Sequence, residues 1–208
     1  MEPTVNIKRT GFPGQSEERG FSLLEVMISM AILTVGLLAV LATLGFAISA
    51  TQTSQEDIIA RQLASEAMET IFTARNTSQI PFSSIANTTA IPPGIFLTGS
   101  NAPKCPGPDG ILDTIDDVNC LTASGAVCPN GGVECLTEAG PDGIIGTADD
   151  TILSLNNYAR TIAITPLNDA NGNVIPTLVQ VTITVNYTVP NHGGFKSYVL
   201  DEYISAYH

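Results

Sequence analysis

Two stretches of this chain repeat each other and gather its carboxylates. Gly107-Pro108-Asp109-Gly110-Ile111-Leu112-Asp113-Thr114-Ile115-Asp116-Asp117 returns 33 residues later as Gly140-Pro141-Asp142-Gly143-Ile144-Ile145-Gly146-Thr147-Ala148-Asp149-Asp150, with eight of eleven positions identical. Pro-Asp-Gly makes a turn, because Pro presets its φ and Gly accepts a positive one. That turn carries the early Asp back toward the later Asp-Asp pair. Clustered carboxylates repel one another unless a cation neutralises them. Hard cations such as Ca2+ take roughly six to eight oxygens from carboxylates, carbonyls and water. The candidate ligands are therefore Asp109, Asp113, Asp116 and Asp117 in one loop and Asp142, Asp149 and Asp150 in the other, with Thr114 and Thr147 beside them. The spacing is not that of an EF-hand. Two solvated turns with acidic tips are the alternative reading.

Four cysteines, Cys105, Cys120, Cys128 and Cys135, surround the first loop and lead to the second. No C-x-x-C pair occurs, which argues against a zinc ribbon or a thioredoxin-type site. Outside the cytoplasm they are expected to form disulfides. Three pairings are open; neighbours with neighbours, Cys105–Cys120 and Cys128–Cys135, is the expectation taken here. The intervening Gly- and Pro-rich chain cannot build its own core, and each bridge would stabilise it by about 2–4 kcal/mol.

One further carboxylate stands alone. From residue 21 to 50 the chain is almost entirely apolar and carries a single charge, Glu25. About 20 apolar residues in a helix span a bilayer core, and an acid inside such a span is costly and by default functional. The preceding residues are polar and include Lys8, Arg9 and Arg19. Basic residues there favour keeping that end in the cytoplasm, and no secretory h-region precedes Gly20.

Gly20-Phe21-Ser22-Leu23-Leu24-Glu25-Val26 resembles the processing site of type IV pilins and type II secretion pseudopilins. The resemblance implies cleavage between Gly20 and Phe21 by a prepilin peptidase and N-methylation of the new amine on Phe21. It also implies that Glu25 pairs with the Phe21 amine of a neighbouring subunit, fixing the register of assembly. The partners implied are other pilin subunits, the peptidase and the inner membrane, followed by a cell-surface pilus or a periplasmic pseudopilus. Gly36-Leu37-Leu38 after Glu25-Val26 looks most like minor pilins of the type IV pilus modification group. The alternatives are a minor pseudopilin of a type II secretion system and a calcium-dependent adhesive tip subunit. Pilins often break this helix with a proline near the position of Ala42; none is present.

These groups need scaffolding. No proline interrupts residues 21–76. Past residue 50 the composition turns polar, and Ile59, Leu63, Ala67 and Ile71 form a stripe beside Ala60, Ala64, Met68 and Phe72. Steps of four are those of an amphipathic helix with one buried face, and Leu63, Met68, Ile71 and Phe72 are the expected core. Asp57 and Arg61 are spaced as a helical ion pair. A short strand is expected near Phe96. Residues 158–165 and 178–187 alternate as half-buried strands, with a turn over 168–173, a second turn over 190–194 and a last strand to 206. The fold class expected is α+β: a long N-terminal helix packed on a C-terminal antiparallel sheet, as in pilins, with a disulfide-bearing loop insertion. The segments are a leader over 1–20, a membrane or filament-core helix over 21–50, an amphipathic helix over 51–76, the insertion over 77–157 and the sheet over 158–208.

The net charge of −12, with 8 basic against 20 acidic residues, argues against nucleic acid, which needs clustered Lys and Arg. No nucleophile, base and orienter are set together, and no phosphate-loop, zinc-protease or dinucleotide motif occurs. Of the two histidines, His192 and His208, the first reads as a solvated loop residue. An enzyme is not expected.

Overall fold

The computed structural model describes residues 20–189 and 194–207. Residues 1–19 of the expected leader, residues 190–193 of the turn expected over 190–194 and both histidines fall outside these residues. The chain divides after Ile48 into two compact units. Helix α1 (Leu23–Asn76) contributes its first part to one unit and the rest to the other. Neither Gly36 nor Gly45 interrupts it.

The helix ends by a defined device. Gln79 N–H reaches the Ala74 carbonyl at 2.9 Å and Ser78 N–H the Arg75 carbonyl at 3.1 Å, the paired bonds of a Schellman cap. Ser78 holds the left-handed conformation there, with φ 57°, a place usually given to glycine.

In the second unit, Ala60, Leu63, Ala64, Ala67, Met68, Ile71 and Ala74 are the buried helix face. The stripe read from the sequence is thus the core face. Phe72 differs: with Ile59 it is only partly buried, packed on the margin of the core. Four of these seven are Ala, so much of the face is small side chains.

That sheet is an antiparallel meander of β3 (Tyr158–Asn168), β4 (Val174–Val189) and β5 (Gly194–Ser205), in the order β3-β4-β5. Strict alternation along β4 buries Val179, Val181, Ile183, Val185, Tyr187 and Val189, as one covered face requires. β3 and β4 run further than the alternation alone suggests, through an irregularity between Pro166 and Asn168. Asp169 closes their turn by accepting the N–H groups of Asn171 and Asn173 at 2.8 and 2.9 Å.

Two strands appear that the sequence reading left inside the insertion. β1 (Cys135–Glu138) and β2 (Thr151–Ser154) pair antiparallel on either side of the second acidic loop. The strand expected near Phe96 reduces to one bridge between Asn87 and Phe96. Asn87 instead uses its side chain to serve the edge of β3. Its Nδ2 donates to the Ile162 carbonyl and its Oδ1 accepts from Ile164 N–H, both at 2.8 Å. The disulfides are Cys105–Cys120 and Cys128–Cys135, with Cα separations of 5.0 and 5.9 Å.

A polar collar fastens helix to sheet at one end of the core. Tyr187 donates to Asp57 at 2.6 Å and Tyr158 donates to Glu56. The two tyrosine rings stack with centroids 5.6 Å apart. Asp57 pairs with Lys196 at 3.1 Å. Arg61, the partner expected from helical spacing, lies instead over the Tyr198 ring, 5.5 Å from its centroid.

Candidate functional site

Gly20 and Phe21 precede α1, and Phe21 is 82% exposed. The Ser22 carbonyl opens the helix by accepting the N–H groups of Glu25 and Val26 at 3.0 and 3.2 Å. Glu25 therefore lies in the first turn, where the helix dipole favours a carboxylate. Among the described residues no cation pairs with it. Around and beyond it the apolar side chains are exposed on every side: Leu24, Met27, Ile32, Leu38, Leu41 and Phe46 are all more than half accessible. The most apolar 18-residue window has a mean hydropathy of 2.5 and none of it is buried. A helix apolar all round and unburied matches lipid or other apolar helices as its surroundings. Ser29 and Thr34 turn their hydroxyls back onto carbonyls three or four residues earlier, so their polarity is spent within the helix.

The acidic loops are one structure built twice. The first is closed by the Cys105–Val118 bridge and the second by the Glu138–Thr151 pair. Gly110 and Gly143 N–H each donate at 3.0 Å to the glycine carbonyl three residues back, with φ of 67° and 72°. Ile111 N–H donates to Asp109 at 2.9 Å, and Ile144 N–H to Asp142 at 2.8 Å. Asp117 accepts the N–H groups of Asp113 and Thr114; Asp150 accepts those of Gly146 and Thr147. Thr114 and Thr147 donate their hydroxyls at 2.7 Å to Asp116 and Asp149. A side chain on Gly107 would fall 2.2 Å from the Asp116 carbonyl oxygen, and one on Gly140 2.4 Å from that of Asp149. Only glycine admits so close an approach.

The structure thus brings Asp109, Asp116 and Asp117 around Thr114, and Asp149 and Asp150 around Thr147, with Asp142 joined to Asp149 through its N–H. Asp113 leaves that set. It is buried, and its carboxylate meets the Arg160 guanidinium. Among the described residues no three His, Cys, Asp or Glu side chains are gathered to hold a metal. The electrostatics differ within each loop. The Thr hydroxyls hold Asp116 and Asp149 below the usual carboxylate range, because an O–H bond favours the charged form. Burial pushes Asp117 up to about 6. Burial likewise raises Asp113, against the pull of Arg160.

Arg160 was not a site residue in the sequence reading, although the alternation of β3 turns it inward between Tyr158 and Ile162. Fully buried, it also donates to the Leu63 carbonyl at 3.2 Å, and its Nη2 has no partner. Nearby, Glu134 is raised to about 7 by burial first, then by the charge of Glu66, with Arg160 opposing.

Against known proteins, no curated protein and no solved structure matches the chain. The family model described as the prokaryotic N-terminal methylation motif matches residues 16–41. The span contains Gly20, Phe21, Glu25 and the exposed apolar helix, and with it the chain carries the signature of type IV pilins and pseudopilins.

Proposed function

We propose that this chain is a structural subunit of a type IV pilus, most closely a minor pilin, cleaved between Gly20 and Phe21 by a prepilin peptidase and methylated on Phe21. The observation that carries the reading is the methylation motif over residues 16–41, which takes in the start of an apolar helix exposed on every side. Before assembly that helix anchors the chain in the inner membrane. Afterwards the same surface packs among the helices of other subunits. Glu25, which pairs with no cation among the described residues, receives the Phe21 amine of a neighbour; in low dielectric that pairing is strong only where the geometry is close, which makes it a register device. The role is structural, not enzymatic. Deleting the protein is expected to impair pili while leaving protein secretion intact. Blocked secretion with normal pili would instead identify a pseudopilin of a secretion machine. In sheared filaments a minor subunit is found in trace amounts; bulk abundance would contradict that part.

The acidic loops supply a second, separable part of the proposal, Ca2+ binding. In each loop a single threonine proton serves carboxylates that face one another: Thr114 Oγ1 lies 2.7, 3.2 and 3.4 Å from oxygens of Asp116, Asp117 and Asp109. A cation would relieve that repulsion. Calorimetry on the full chain in detergent should register heat and a raised melting temperature with millimolar Ca2+. Neither effect would leave the loops as internally bonded turns.

A further inference from the structure

The two acidic loops share an internal frame but meet opposite surroundings. Ile111 and Leu112 of the first are each 1% exposed and belong to the core. Their equivalents, Ile144 and Ile145, are 61% and 59% exposed. The second loop is turned outward, and on one side it borders a hollow of about 310 Å3.

This hollow lies between the turn bridged at Leu121 and Val127, the β1–β2 ladder and the second loop. Its walls include the aliphatic side chains of Val127, Pro129 and Ile152. Its polar groups include Asp150 and the hydroxyls of Thr122, Ser124 and Thr137, and among the described residues no basic side chain lines it. Two of these groups are held in place. Thr122 Oγ1 accepts the Ala126 N–H at 3.1 Å and lies 3.0 Å from Ser124 Oγ. Asp150 is anchored mainly by one oxygen. Its Oδ2 accepts the N–H groups of Gly146 and Thr147 at 2.6 and 3.1 Å. Its Oδ1 makes only long contacts among the described residues, 3.4 Å to the Gly140 N–H and 3.5 Å to the Thr147 hydroxyl.

We propose that this hollow binds a primary ammonium group on an unbranched aliphatic stem, the chemistry shared by a lysine side chain and a free diamine. The ammonium donates to Asp150 Oδ1 and to the hydroxyl oxygens beside it; the stem lies along Val127, Pro129 and Ile152. An ammonium has three donors and no acceptor, which suits one open carboxylate oxygen among hydroxyls. A guanidinium fits less well, because its fork wants both carboxylate oxygens and Oδ2 is already engaged. An anion is excluded by Asp150 and by the net charge of −12, a field that instead concentrates cations at the surface. Size agrees: the hollow is roughly twice a ~150 Å3 cavity that takes a benzene, so a stem of four or five methylenes has room. The site does not rest on Ca2+ in the loops, and it is tested without Ca2+.

The full-length chain in detergent micelles, labelled at its Ile and Val methyl groups and kept in a chelator, is titrated with three probes and followed by methyl NMR. The probes are cadaverine, Nα-acetyl-lysine N-methylamide and pentanol. Both amines should shift the Val127 and Ile152 methyl signals saturably in the millimolar range. Pentanol, a similar stem without the charge, should bind at least about tenfold more weakly. Tighter binding of the capped lysine than of cadaverine identifies a protein side chain as the source; the reverse identifies a free diamine. Asp150→Asn should weaken both amines at least about tenfold. Because Asp150 also holds its own loop, a second variant leaves the loop alone. Val127→Phe, at a position 57% exposed, fills the hollow and should abolish the Ile152 shift with the melting temperature unchanged. No saturable shift with either amine overturns the proposal. So does pentanol binding as tightly as the amines, or full binding retained in Asp150→Asn or in Val127→Phe.

Discussion

Arg160 occupies an inward position of β3 that alternation reserves for an apolar side chain, and its burial is complete. What makes this tolerable is Asp113, which reaches it across a sequence separation of 47 residues. A buried pair need not stabilise the fold relative to apolar residues, but breaking it leaves an uncompensated charge. Arg160→Ala should therefore cost about 3–5 kcal/mol in urea unfolding of the full chain in detergent. A loss under about 1 kcal/mol would show that Asp113 takes up a proton or reaches water instead. Nothing local in the sequence ties Arg160 to Asp113; the strand period places one and the repeat the other, and only the packed core joins them. Glu134 sets a second expectation. Its folded pKa of about 7 lies above the ordinary value, so the folded state binds its proton more tightly than the unfolded chain. The associated stability is present at low pH and is lost as pH rises through about 7; Asp117, at about 6, adds the same sign. The melting temperature should fall between about pH 5 and pH 8, and Glu134→Gln should flatten that fall. A flat or rising profile in the parent chain contradicts the assignment.

Among the elements, the helix face was legible because steps of four in Ala, Leu, Met and Ile repeat without interruption, and β4 because a single alternation runs its length. β1 and β2 were hidden because each has four residues, flanking a loop dominated by Gly and Asp. Their pairing follows from loop closure more than from strand propensity. The repeat showed that the two loops are alike but not that their fates differ. That difference comes from position 113, where Asp binds Arg160, and position 146, where glycine offers no anchor. Gly107→Ala and Gly140→Ala both force the backbone of an Asp to move. In the first loop the move dislodges Ile111 and Leu112 from the core and should cost about 3 kcal/mol or more. In the second the equivalent pair is exposed, so global stability should change by less than about 1 kcal/mol. Equal losses in urea unfolding would mean that the second loop is also docked.

For the whole molecule, one end of the chain carries a motif that belongs to assembly, and the other end is a stapled globular unit with surfaces of its own. The motif was readable because Gly20, Phe21 and Glu25 stand at fixed places before an apolar run. The particular identity of the subunit was not, since it depends on which surfaces the insertion leaves open. Glu25→Ala should leave membrane insertion unchanged and reduce incorporation into filaments, measured as the variant's share of the sheared fraction against the membrane fraction. Normal incorporation would remove Glu25 from assembly. The most direct test of the central reading is mass spectrometry of the mature N-terminus, on chain recovered from cells that carry a prepilin peptidase. The N-terminal peptide should begin at Phe21 and carry one added methyl group. A chain that still begins upstream of Gly20, or is cut elsewhere, would contradict it.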